Sequence, residues 1–357
     1  MKTPTLLLQW FLFSFLGLLY YPAALYSQER TDNVLKIGFI GALSGPAAIY
    51  GVASKNGIEM ALEDLGENSR IKVYYEDDQF QSAKTIAAYR KLRSLEKIQI
   101  FISIASTPSH ALAPLVQKDK TVLFAWASDA KVSQTRDYVI RTYPSGHQEG
   151  VTAAQQALKK DYDHFGAVYS ENDYATSVVR GFSDIITKEH LLFEEETPPQ
   201  TPDFKPTLLR ARQRGAQSIY LCLNPGQSSL FARQARELQY AINIFGCENL
   251  NSREERSLSD GGLDSAWFVT IGTTDAFRNR YVQRYGNEDV LSGAAVHYDL
   301  IHLLHAISGQ DLSVEKLREK LFSFPPQSGA LPKFQFRMES GDQYMDIPLI
   351  LKQVSDL

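Results

Sequence analysis

Two cysteines, at positions 222 and 247, are all that 357 residues contain, which excludes a disulfide-stapled scaffold and a four-cysteine zinc site. Excess positive charge is absent as well. Lys+Arg 37 against Asp+Glu 41 leaves a formal net charge of -4, so no general field draws a polyanion, and nucleic acid is not an expected partner. Beyond residue 28 no segment approaches the ~20 uninterrupted apolar residues that a spanning helix needs. Missing too are the G-x-G-x-x-G dinucleotide fingerprint, the G-x-x-x-x-G-K-[ST] phosphate loop and the G-x-S-x-G nucleophile elbow. Gly38, Gly41 and Gly45 have the wrong spacing, and Ser44 and Ser145 lack a glycine two residues away on either side. No cofactor and no catalytic nucleophile are therefore expected; the chain does not read as an enzyme.

What is present begins with an uncharged stretch from Thr3 to Gln28 behind a lone Lys2, apolar over 6–19 and followed by Ala23, Ala24 and Ser27. That order matches a secretory signal over 1–27, cut after Ala24 or Ser27, with a retained membrane anchor as the alternative. In an oxidising compartment Cys222 and Cys247 could pair; two buried free thiols are the other reading.

After Asp32, short β-branched or aromatic runs alternate with segments of helical period, the pattern of βαβ units around a parallel sheet. Strands are expected over 34–40, 71–76, 99–104 and 121–125, with helices over 50–65, 82–95 and 108–118 between them. A second series has strands over 164–170, 191–196, 217–223, 243–246 and 266–270. The fold class is α/β: two doubly wound Rossmann-like lobes in tandem. Helices over 275–285, 293–308 and 314–321 and strands over 333–338 and 344–351 fit neither lobe as a separate domain. The economical assignment gives 33–143 plus 274–324 to an N-terminal lobe and 144–273 plus 325–357 to a C-terminal lobe, with a three-strand hinge crossing near 143–146, 270–274 and 323–327. Ligands of open parallel sheets bind beyond the carboxyl ends of the strands, which places a site in the cleft between the lobes.

The run Leu35-Lys-Ile-Gly-Phe-Ile-Gly-Ala-Leu-Ser-Gly-Pro-Ala-Ala-Ile-Tyr-Gly51, then Gly57-Ile-Glu-Met-Ala61 and Glu76-Asp-Asp-Gln79, resembles the opening of type I periplasmic solute-binding proteins. Within them it is most similar to the leucine/isoleucine/valine-binding branch that serves ABC importers. Weaker echoes follow in the family's order at Ser170-Glu-Asn-Asp-Tyr174, Ala232-Arg-Gln-Ala-Arg236 and Ala294-Ala-Val-His-Tyr-Asp299. The resemblance implies a type I periplasmic binding fold in the periplasm, a cleft that closes on an amino acid, and an ABC permease in the membrane as partner. A ligand-sensing module of the same fold, signalling to a membrane partner, is the alternative.

Ser106 and Thr107 lie between a strand and a helix, where a hydroxyl and free N–H groups make an anion site or an ordinary helix cap. The resemblance implies that Ser106 holds the ligand's α-carboxylate and that the hydroxyl of Ser128 helps. It also implies that Glu248, after a strand of the second lobe, pairs with the ammonium. Tyr50 and Tyr174 are the expected aromatic walls. Trp126 departs from the family's small residue or proline there, and either narrows the pocket or packs as core. Asn224-Pro225 stands where many relatives place another tyrosine. His297, His302 and His305 share a helix without the H-E-x-x-H spacing, so no metal is expected. The acidic run Glu76-Asp77-Asp78 is accounted for by capping at the start of a helix.

Overall fold

A computed structural model describes residues 34–309 and 313–357; the segment over 1–27 read as an export signal lies outside them. The first lobe is built from β1 (Leu35–Gly41), α1 (Ala48–Leu65), β2 (Ile71–Asp77), α2 (Ser82–Leu95), β3 (Ile100–Ile104), α3 (Ser106–Asp119), β4 (Val122–Trp126) and β5 (Val139–Arg141). The second takes α4 (Gly146–Lys159), β6 (Phe165–Ser170), α5 (Asp173–Ile185), β7 (Leu191–Thr197) and α6 (Lys205–Gln213). It continues with β8 (Ser218–Cys222), α7 (Gln227–Glu237), β9 (Asn243–Gly246), α8 (Arg253–Leu258) and β10 (Trp267–Ile271). Then come α9 (Asp275–Tyr285), α10 (Leu291–Ile307) and α11 (Val314–Ser323), and finally β11 (Gln335–Glu339), β12 (Asp342–Asp346) and β13 (Leu349–Gln353).

Seven strands form one sheet in the order β11-β12-β5-β4-β3-β1-β2, and six form the other in the order β13-β10-β9-β8-β6-β7. All neighbours are parallel except β11 with β12 and β13 with β10. Strands β3, β4, β8 and β10 are buried at every position, as expected where helices cover both faces of a parallel sheet. Leu300 and Leu304 of α10 and Leu317 of α11 share one core with Ile37, Ile102 and Phe124, so the late helices do return to the first lobe.

Close helix contacts explain two of the sequence motifs. A Cβ on Gly57 would stand 2.0 Å from the carbonyl oxygen of Ala294, so glycine lets α1 lie directly against the backbone of α10. The second lobe repeats the device between α4 and α5, where a Cβ on Gly181 would meet the His147 carbonyl at 2.0 Å.

The closing strands differ from expectation. Of the segment assigned to the C-terminal lobe, only β13 joins the second sheet; β11 and β12 form a hairpin on the edge of the first. Ser340 and Gly341, both at positive φ, make its two-residue turn. The physical reason is Arg141 of β5, 2% exposed, whose guanidinium donates to Asp342 Oδ2 at 2.7 Å. A buried cation requires a carboxylate partner, and β12 delivers it. The third passage between sheets therefore falls at Ile347-Pro348, between β12 and β13, and not near 323–327.

Candidate functional site

Loops at the carboxyl ends of both sheets face one another around a cavity enclosing about 600 Å³, open solvent at its mouth included. Tyr50, Ser106, Thr107, Trp126, Ser128, Tyr174 and Glu248 all line it, so the seven residues singled out in the sequence share one hollow. Phe80, Tyr143, Asn172, Asn224 and Asn249 complete much of the wall. Asn224 occupies the place of the absent tyrosine and accepts from Asn172 Nδ2 at 3.1 Å.

On the first-lobe side, α3 starts at Ser106, with Ala105 before it at φ 74. Ser106 is thus the first helical residue, and its hydroxyl does not cap the helix. Its Oγ accepts the backbone N–H groups of Ser128 and Asp129, each at 3.2 Å, leaving the hydroxyl proton to donate elsewhere. The N–H groups of Ser106 and Thr107 have no partner within the helix, as at any helix start, and add the positive end of its dipole. This rim is a set of donors without a cation.

Trp126 stands in the core and in the cavity wall at once. It is 7% exposed and belongs to the first-lobe core, with Tyr143 edge-on at 5.4 Å and Tyr50 at 6.2 Å between ring centres, yet it also faces the cavity. Its indole N–H is buried without a protein acceptor.

On the second-lobe side stands Glu248, 5% exposed in a short turn after β9. Oε1 accepts from Ser292 Oγ at 2.6 Å and Asn251 Nδ2 at 3.0 Å, and Oε2 accepts from Tyr143 OH at 3.1 Å. Each of these partners is neutral. Burial pushes the Glu248 carboxyl above the ordinary carboxylate range against the pull of its hydrogen bonds.

Behind it lies a second acid that the sequence reading missed. Glu149, fully buried in the first turn of α4, accepts the Glu248 backbone N–H and the Tyr174 hydroxyl on Oε1, both at 3.0 Å, while Oε2 has no partner. Burial, then neighbouring Cys247, drives its carboxyl well above the usual range. Cys222 and Cys247 sit side by side at the ends of β8 and β9 as buried free thiols. Tyr143, which the sequence places only in a lobe crossing, joins Phe80 and Asn249 as wall residues that the sequence did not single out.

Several contacts join the lobes across the cleft. Thr107 Oγ1 donates to Asp173 Oδ2 at 2.8 Å, and Tyr50 OH donates to Asn249 Oδ1 at 2.9 Å. On the far side, Glu288 gathers Arg278, Arg253 and Lys352, at 2.8, 3.3 and 3.5 Å. The helical histidines do not converge: His297 Nδ1 donates to the Gly293 carbonyl, whereas His305 Nε2 donates to the carbonyl of Asn68. The acidic run does not cap α2 as expected, since the N-cap there is Gln81: Asp77 accepts from Leu43 N and Ser44 Oγ and Asp78 from Phe80 N and Thr85 Oγ1, which ties the loop, while Glu76 pairs with Lys91 at 2.7 Å.

The periplasmic binding protein family matches residues 34–355. A Leu/Ile/Val-binding protein homolog of Brucella melitensis is 26% identical over 206 residues, covering 56% of this chain and 53% of the relative, so the match spans about half of that protein's length. A substrate-binding protein of a branched-chain amino acid transporter from Streptococcus pneumoniae, in complex with isoleucine, superposes with a TM-score of 0.75 at 18% identity over 88% of this chain and 100% of that one. An R. palustris solute-binding protein in complex with benzoate gives 0.80 at 17% identity over 90% and 93%. Two lobes, a shared cleft and a match along nearly the whole described chain agree: the chain belongs to the periplasmic binding protein family and has its two-lobe, type I fold.

Proposed function

We propose that this protein captures a small amino acid, aliphatic in its side chain, between its lobes and delivers it from the periplasm to an ABC permease, as a binder and not an enzyme. The observation that carries this reading is the polarity of one cavity: hydroxyl and N–H donors at Ser106, Thr107 and Ser128 on one wall, and a carboxyl with wholly neutral partners, Glu248, on the other. A zwitterion matches both ends. Its carboxylate takes the Ser106 rim, and its ammonium supplies the cation that a buried Glu248 lacks. The side chain then rests among Tyr50, Trp126 and Tyr174. Charge-assisted hydrogen bonds of about 1.5–3 kcal/mol each, with apolar burial, suffice for micromolar binding. Names of the curated relatives support this ligand class, and a ligand touching both lobes favours the closed form that a permease can recognise. A sensing module of the same fold would use the same cleft.

A second reading rests on the aromatic wall. Tyr50, Phe80, Trp126, Tyr143 and Tyr174 all border the cavity, and the structurally similar R. palustris protein holds benzoate. An aromatic carboxylate would use the Ser106 rim alone and would favour Glu248 in its protonated form. Calorimetric titration with amino acids and with benzoates decides between them. Heat from an aliphatic amino acid supports the first reading; heat from benzoates alone replaces it with the second.

A further inference from the structure

At the mouth of the cleft, outside the cavity described above, three side chains from the two lobes converge. His110 of α3 and Asp129 after β4 belong to the first lobe, and Asp173, the first residue of α5, to the second. One ligating atom from each lies within 4.8 Å of the other two. His110 Nε2 and Asp129 Oδ2 are already 2.7 Å apart.

Both carboxylates are held from behind. Asp129 Oδ1 accepts the Lys131 backbone N–H at 3.1 Å, and Asp173 Oδ2 accepts the Thr107 hydroxyl at 2.8 Å. Outer partners of this kind fix the aim of metal ligands. The imidazole and Asp129 are largely shielded, with side-chain exposures of 28% and 13%, whereas other His–Asp contacts such as His147–Asp184 are about half exposed. One imidazole and two carboxylates suit a divalent transition ion such as zinc, with water completing the shell.

The geometry points to an interlobe site for a divalent transition metal ion, formed by His110, Asp129 and Asp173, that fastens the mouth of the cleft. Because Asp173 alone comes from the second lobe, the full ligand set exists when the lobes are together. An ion that binds this set stabilises the closed arrangement in proportion to its occupancy. This site is independent of the amino-acid reading, since the ion needs no organic ligand.

The test uses untagged, chelator-stripped protein without organic ligand, in a His190→Ala background that removes the exposed His190–Asp163 contact as a competitor. Zn²⁺ is titrated by calorimetry, Co²⁺ absorption reports the coordination, and small-angle scattering reports the radius of gyration. One ion per chain is expected, with at least tenfold weaker binding in His110→Ala and in Asp129→Asn. Zn²⁺ should compact the parent protein but not Asp173→Asn, while circular dichroism shows all variants folded. No saturable binding, unchanged affinity in His110→Ala, or full compaction in Asp173→Asn overturns the proposal.

Discussion

Glu248 sits where its own charge is resisted, and this gives the proposed ligand a pH signature. Its carboxyl titrates above the ordinary range because of burial, and an ammonium pairs with the ionised form. Amino-acid affinity should therefore rise as pH increases through that titration, whereas an aromatic carboxylate should bind more weakly over the same interval. Calorimetry across pH 4–8 reads the sign, with fixed ligand protonation as the control. Glu248→Gln should weaken amino-acid binding about 10- to 100-fold, equivalent to one charge-assisted hydrogen bond of about 1.5–3 kcal/mol. Thermal stability should stay level or rise at neutral pH, because a group whose folded pKa is raised contributes less as pH climbs past it. Unchanged affinity in the variant removes Glu248 from the ligand. Ser106, Ser128 and Glu248 were legible because each follows a strand of obvious pattern. Glu149 was not: a glutamate three residues into a helix reads as a dipole or capping residue, and nothing local reveals that this turn backs onto a cleft.

Helix pairs in both lobes meet backbone to backbone. Gly57 and Ala294 stand in two of the motifs on which the family resemblance rests, and the structure joins them at a backbone contact between α1 and α10. Those motifs record helix packing rather than ligand recognition. Gly57→Ala and Gly181→Ala should each destabilise by about 1–3 kcal/mol through overpacking, measured by denaturant unfolding, with little effect on ligand specificity. A loss below about 0.5 kcal/mol at both sites would show that the helices shift apart without cost. Most strands and helices were legible from alternating period alone. The run over 344–351 was read as one strand, but Pro348, which lacks an N–H, divides it into β12 and β13 in different sheets. The sheet that β12 joins is settled by Asp342 reaching Arg141, a pair 201 residues apart that no local pattern exposes.

At the scale of the whole molecule, charge between the lobes sets the response to acid. Burial alone would raise the Glu288 carboxyl, yet Arg278 and Lys352 overcome that and bring it down to about 2. A folded pKa below the unfolded value contributes stability that is complete above about 4.5 and lost as pH falls toward 2. Glu288→Gln, which leaves three cations without their shared anion, should cost about 3 kcal/mol at neutral pH and flatten the acid limb of a stability profile. Scattering should show the parent protein expanding below pH 4 before its helices melt; simultaneous loss of both signals counts against an interlobe role for this cluster.

The hairpin β11–β12 and the strand β13, separated by Ile347-Pro348, finish different sheets within the last twenty-five or so residues of the chain. Until they emerge, β5 and β10 each present an open edge, and neither lobe can close on its own schedule. A nascent polypeptide with this connectivity completes both sheets only once residues 335–353 are available to pair.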